Sequence, residues 1–102
     1  MNETLILSTT DSLELARKIS SALVDSREAA CVSIIPGITS IYRWEGKVHE
    51  EGEYLLLIKT TSEKFEAVRK IVRELHTYQL PELISIPIVA GDPEYMNWLR
   101  SS

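Results

Sequence analysis

Two histidines, one cysteine and a run of glutamates are the side chains here whose chemistry reaches beyond packing. A Cys31 thiolate would suit soft copper(I). Set between Ala30 and Val32, with no Lys or Arg adjoining it in sequence, it reads instead as a small buried hydrophobe. His76 closes a helical stretch, where an imidazolium would favour the negative end of the helix dipole. Metal ligation and a capping or hydrogen-bonding role stand side by side for it. His49 with Glu50, Glu51 and Glu53 makes a second nitrogen-and-oxygen cluster. Strand alternation puts His49, Glu51 and Glu53 on one side, where they could bind metal or simply keep a strand end solvated and resistant to edge pairing. His76, Cys31 and His49 are thus the candidate metal ligands. The chain has no His-x-x-x-His and no Cys-x-x-Cys, so it carries no strong metal signature. No nucleophile-and-base pattern or Gly-rich phosphate loop is evident either, so the expectation is a binding protein and not an enzyme.

The elements that must position these groups can be read from periodicity. Thr4 to Thr10 is β-branched and aliphatic and reads as a strand. Asp11 offers a helix N-cap with Glu14 three positions on, and Leu15, Ala16, Ile19, Ala22 and Leu23 recur at helical spacing over residues 12–26. Ala29 to Ile35 is a second β run, broken by Pro36-Gly37 and resumed from Ile38 to Trp44. A turn at Glu45-Gly46-Lys47 returns the chain as Val48 to Thr60. Ser62 can cap a second helix with Phe65, Val68, Ile71, Val72 and Leu75 as its apolar stripe, and Glu66 and Lys70 form an i,i+4 pair outside. Leu83 to Val89 is a last strand, with Pro87 marking an edge or bulge, and Asp92-Pro93 opens a terminal helix.

The order β-α-β-β-α-β plus a terminal helix is the split βαβ, ferredoxin-like arrangement of the α+β class. It spans residues 1–102 as one domain, with a four-stranded antiparallel sheet and both main helices on one face. Two features do not fit a monomer of this fold. A strand from Val48 to Thr60 would rise roughly 43 Å and overrun a core of this size. Leu5 and Leu7 oppose Ile6, and Leu55 and Leu57 oppose Tyr54, Leu56 and Ile58, so the central strands are apolar on both sides. Helices can cover only one face, and the simplest cover for the other is another copy of the chain. Ser40, Tyr42 and Trp44 share one side of the second strand. They suit packing or an interface, or the wall of a cleft between subunits.

Composition narrows the function classes. Eleven basic against fifteen acidic side chains give a formal charge of −4, which argues against nucleic acid as a partner. The longest apolar run, Tyr54 to Ile58, is too short to cross a membrane. A lone cysteine and a start without the pattern of a secretory leader lead us to expect a cytoplasmic protein.

AACVSIIPGITSIYRWEGKV (residues 29–48), LHTYQLPELISIPI (75–88) and EYMNWL (94–99) together resemble the recurrent blocks of the divalent-cation-tolerance (CutA) proteins. The resemblance implies a homotrimer of ferredoxin-like subunits, linked to tolerance of divalent metals and above all Cu²⁺. It also implies an intersubunit cleft in which Glu53, Lys59, Tyr78 and Glu82 join Tyr42 and Trp44. The chain departs from the family in having Thr77 where a proline is usual. Ser8 and Leu75 stand where some copper-binding members carry Cys and His. By this resemblance the chain binds divalent metal and contributes to metal-ion homeostasis. The alternative is a trimeric module that senses a small molecule or binds a partner through the cleft.

Overall fold

The computed structural model describes residues 2–102. Strand β1 (Glu3–Thr10) leads to helix α1 (Leu13–Asp25), then to the long hairpin of β2 (Cys31–Trp44) and β3 (Lys47–Thr61). A single 3-10 turn, Ser62–Lys64, enters α2 (Phe65–Leu75), followed by β4 (Ile84–Pro87) and α3 (Pro93–Ser101). The strands lie in the order β2-β3-β1-β4, all pairs antiparallel, which is the expected α+β arrangement. Among the described residues no helix is long and apolar enough to cross a membrane.

Local chemistry explains most boundaries. Ser12, and not Asp11, caps α1, its hydroxyl accepting from the Leu15 N–H at 3.1 Å. The 3-10 turn takes up the residues expected to start α2, so Ser62 is no α-helical cap. On the outer face of α2, Glu66 pairs with Arg69 at 3.6 Å. Asp92 caps α3 as its sequence suggests, accepting from the Tyr95 N–H at 3.1 Å.

Both main helices pack on one face of the sheet. Ala16, Ile19 and Leu23 of α1 and Val68 and Val72 of α2 bury Ile6, Leu56 and Ile58 in a single cluster. Each Ile, Leu or Val among them contributes about 1.5–3 kcal/mol when fully removed from water. The other face carries Leu5, Leu7, Leu55 and Leu57, half-buried, with Ile35, Ile84 and Ile86 exposed around them. Glu3 alternates onto this second side, and the Arg100 guanidinium donates to it at 2.6 Å, so α3 covers one end of that face. The guanidinium holds the Glu3 carboxyl below the usual carboxylate range.

The hairpin overruns the core, giving the molecule extents of 44 × 25 × 22 Å. At its tip Glu45 and Gly46 both take positive φ, 51° and 79°, the mirror-image turn that suits a two-residue connection. Lys47 therefore belongs to β3 and not to the turn. At Pro36-Gly37 the register slips: Ile35 faces Leu55 and Ile38 faces Glu53, leaving two residues opposite Tyr54. Gly37 supplies the positive φ of 75° at this bulge.

Candidate functional site

The bulge decides which side chains meet. A slip of one residue sends every later side chain of β2 to the opposite face. Ser40, Tyr42 and Trp44 thereby stand opposite Glu51, His49 and Lys47, on the side of β3 that also carries Glu53. Together with the segment between α2 and β4 they enclose a cleft of about 600 Å³. Tyr42, Trp44, Glu51, Glu53, Tyr78 and Glu82 all contribute to its wall, as does Arg43.

The carboxylates are fixed by phenols. Tyr78 donates its hydroxyl to Glu53 Oε2 at 2.6 Å, and Tyr42 donates to Glu51 Oε1. Burial of Tyr78, then its bond to Glu53, pushes the Tyr78 phenol well above its ordinary value. Tyr42 is pushed up to about 12, chiefly by its bond to Glu51. Both phenols therefore remain protonated donors at neutral pH. Glu53 is 7% exposed, whereas Glu51 and Glu82 reach solvent.

His76 holds the Tyr78 segment in place. It is the C-cap of α2, its N–H bonding Val72 O at 2.8 Å. Its Nδ1 accepts the Tyr78 N–H at 3.1 Å, so the ring proton sits on Nε2, which donates to Thr9 O at 2.7 Å. The ring also packs on Tyr78, with centroids 4.5 Å apart. Of its two readings, the hydrogen-bonding one describes the folded chain, since neither nitrogen has a free lone pair for a metal. Pro81, buried, then sets the chain past Glu82 toward β4.

The other candidates lie elsewhere. His49 stacks on Tyr42 with centroids 5.4 Å apart, two residues from Glu51 on the same side of β3, and does not line the cleft itself. Lys59 does not join the cleft within one chain: it is six residues from Glu53 along β3, about 20 Å at strand rise. It donates instead to Ser33 Oγ at 2.7 Å and lies 3.8 Å from Cys31 Sγ. Cys31 and Lys59 face each other across β2 and β3, so the thiol has a cationic neighbour that its flanking residues do not announce. Cys31 is also half-buried on the second face and not within the helix-covered core. Ser8 lies on the helix side at 1% exposure, its hydroxyl without a partner among the described residues.

Comparison with known proteins bears on this geometry. The family model described as CutA1 divalent ion tolerance protein matches residues 4–102. The chain belongs to the CutA1 family. The Divalent-cation tolerance protein CutA of Thermus thermophilus is 50% identical over 100 residues, covering 98% of this chain and 97% of that protein. Its solved structure superposes with a TM-score of 0.94 over 97% of this chain and 96% of the other. CutA from Xylella fastidiosa superposes with a TM-score of 0.93 at 42% identity, covering 97% and 95%. Human Protein CutA is 44% identical over 87 residues, 85% of this chain and 49% of that protein, so the chain spans about half of that longer relative.

The family name raises divalent cations, and the donor set can be tested against them. Among the described residues no three His, Cys, Asp or Glu side chains are grouped closely enough to hold a metal ion. His76 is committed to Thr9 and Tyr78, Cys31 stands beside an ammonium, and only His49 and Glu51 adjoin each other with exposed or half-exposed donors. One chain alone does not form a chelating set.

Proposed function

We propose that this member of the CutA1 family is a homotrimer that binds divalent cations at the mouths of its intersubunit clefts, without catalysing a reaction. The carrying observation is the acidic wall of one cleft, where Glu51, Glu53 and Glu82 stand against the single Arg43 and His49 neighbours Glu51 on the same side of β3. The uncovered apolar face supports assembly, because a contiguous patch of this kind on a lone subunit marks an interaction surface. Imidazole and carboxylate suit Cu²⁺ and Zn²⁺, with Cu²⁺ the tighter. Two donors per chain give weak binding, on the order of micromolar. Such a protein would buffer or report divalent metal in the tolerance response, in a reducing compartment such as the cytoplasm.

Native mass spectrometry with and without Cu²⁺ and Zn²⁺ gives subunit number and metal stoichiometry together. The expected spectrum is a trimer that takes up Cu²⁺ ahead of Zn²⁺. His49→Ala or Glu51→Gln should weaken Cu²⁺ binding about tenfold in calorimetry, for the loss of one of few ligands. Cys31→Ser should leave it unchanged. A monomer, or Cu²⁺ affinity indifferent to both His49 and Glu51, overturns the reading.

A further inference from the structure

The segment between α2 and β4, residues 76–83, forms neither helix nor strand, so no ladder of backbone bonds fixes its path. It nonetheless carries Tyr78, whose hydroxyl donates to Glu53 Oε2 at 2.6 Å in the wall of the cleft. What ties the segment to the sheet is the His76 ring. Its Nδ1 accepts the Tyr78 N–H at 3.1 Å, and its Nε2 donates to the Thr9 carbonyl of β1 at 2.7 Å. The ring also lies against the Tyr78 ring, with centroids 4.5 Å apart. Both nitrogens are used within one chain, so the arrangement does not depend on a neighbouring subunit.

This pattern admits one protonation state. A backbone N–H only donates, so Nδ1 must present a lone pair; a carbonyl only accepts, so Nε2 must carry the proton. An imidazolium has a proton on both nitrogens. It keeps the bond to Thr9 but sets a second N–H against that of Tyr78, and attraction becomes repulsion. Histidine is also the side chain whose ordinary titration falls between about pH 5 and 8. Its surroundings here pull both ways. Asp11 and Glu14 follow β1, Glu51 and Glu53 stand on β3, and Glu74 shares the last turn of α2 with Arg73. These carboxylates and the C-terminal end of the α2 dipole favour the imidazolium. Arg73 and the Tyr78 N–H favour the neutral ring. The Tyr78 phenol, pushed well above its ordinary value, stays a donor throughout.

We propose that His76 is an acid-sensitive latch on the cleft. Neutral, it clamps Tyr78 to β1 and aims the phenol at Glu53; protonated, it releases Tyr78, and that wall of the cleft loses its fixed shape. His76 is thus a positioning residue acting through Tyr78, and the proton is the ligand that regulates the site. This rests on the cleft being the functional site, as in the reading above, but it involves neither a metal nor His49 and Glu51.

The experiment is an NMR titration of the intact, isotope-labelled protein in excess EDTA, so that success or failure of metal binding does not enter. The ring nitrogen shifts of His76 report its tautomer and charge, and the Tyr78 amide and ring signals report the latch. At about pH 8 the ring should be the neutral Nε2–H tautomer. On acidification toward about pH 5 the Tyr78 signals should move with the same midpoint as the His76 ring. Protection of the Tyr78 amide against hydrogen exchange should fall about tenfold over that step. His76→Asn keeps a side-chain acceptor for the N–H two residues on and has no group to titrate. It should leave the Tyr78 signals flat over the same range, whereas His76→Ala should show the low protection at every pH. If either variant fails to fold, the shared midpoint in the parent decides alone. An Nδ1–H tautomer, a ring that does not change charge over the range, or Tyr78 signals indifferent to that change overturns the proposal. So does a pH response that persists in His76→Asn, which would assign it to Glu53 or another of the carboxylates.

Discussion

On the helix side of the sheet Ile6, Leu56 and Ile58 are at most 1% exposed, while one residue along the same strands Leu5, Leu7, Leu55 and Leu57 are only half-buried. At the edge of that second side Ile84 and Ile86 stand 50% and 43% exposed. The two faces are equally apolar in sequence and differ only in what lies over them. Two helices complete the first. The short α3 covers one end of the second and leaves the remainder open, and the cleft lies on that side.

Single substitutions can break this contrast. Leu57→Asp places a carboxylate on the second face, where an unpaired buried charge costs on the order of 3–5 kcal/mol. It should dissociate the proposed trimer in sedimentation equilibrium while leaving the helical content intact. An unchanged mass would show that this face is free in solution. Leu56→Ala, one position away and on the helix side, should instead lower the unfolding free energy by about 2–5 kcal/mol in urea denaturation without altering subunit number. In the proposed trimer folding and assembly are one equilibrium, so the melting temperature of the parent protein should rise with protein concentration.

A smaller effect sharpens the contrast at the end of the second face. Because Arg100 depresses the Glu3 carboxyl in the folded chain, the pair contributes stability above the unfolded carboxyl value near 4.5 and loses it as pH falls through the lower folded value. Glu3→Gln should therefore flatten the acid limb of stability against pH and leave the neutral-to-basic limb parallel to that of the parent. The smallest effect belongs to the helix side. Ser8→Ala removes a buried hydroxyl with no partner among the described residues and should be neutral or stabilising by about 1 kcal/mol in thermal unfolding.

Periodicity carried the fold because alternation and helical spacing are local. The alternation of Leu5 and Leu7 with Ile6, and of Leu55 and Leu57 with Leu56, by itself marks a second apolar face. Tyr42, Trp44, Glu53, Tyr78 and Glu82 do lie on one cleft, five residues from three segments of the chain. What could not be read depends on register between distant strands. Lys59 lies opposite Cys31 only because β2 and β3 pair in that frame, so the flanks of Cys31 hid its cationic neighbour. The Pro36-Gly37 bulge was visible as a break, but its effect on which face Tyr42 takes required counting against β3. His76 kept two readings until Thr9, 67 residues away in sequence, proved to be its partner. At α1 Asp11 and Ser12 are both good cap residues by type, and it is the extended Ser12, φ −126°, whose hydroxyl reaches the Leu15 N–H.

The central position of β1 sets a timetable for folding. It is the first strand made, yet its neighbours are β3, more than forty residues on, and β4, where Pro87 faces Thr4. Glu3 meets Arg100 at a separation of 97 residues. As the chain leaves the ribosome, the β2–β3 hairpin closes early on its two-residue turn, while β1 waits for both sides of its hydrogen-bond ladder. Such long-range pairing slows the search for the native state. The apolar second face is then exposed at least until the C-terminal helix has docked, a window in which burial competes with aggregation.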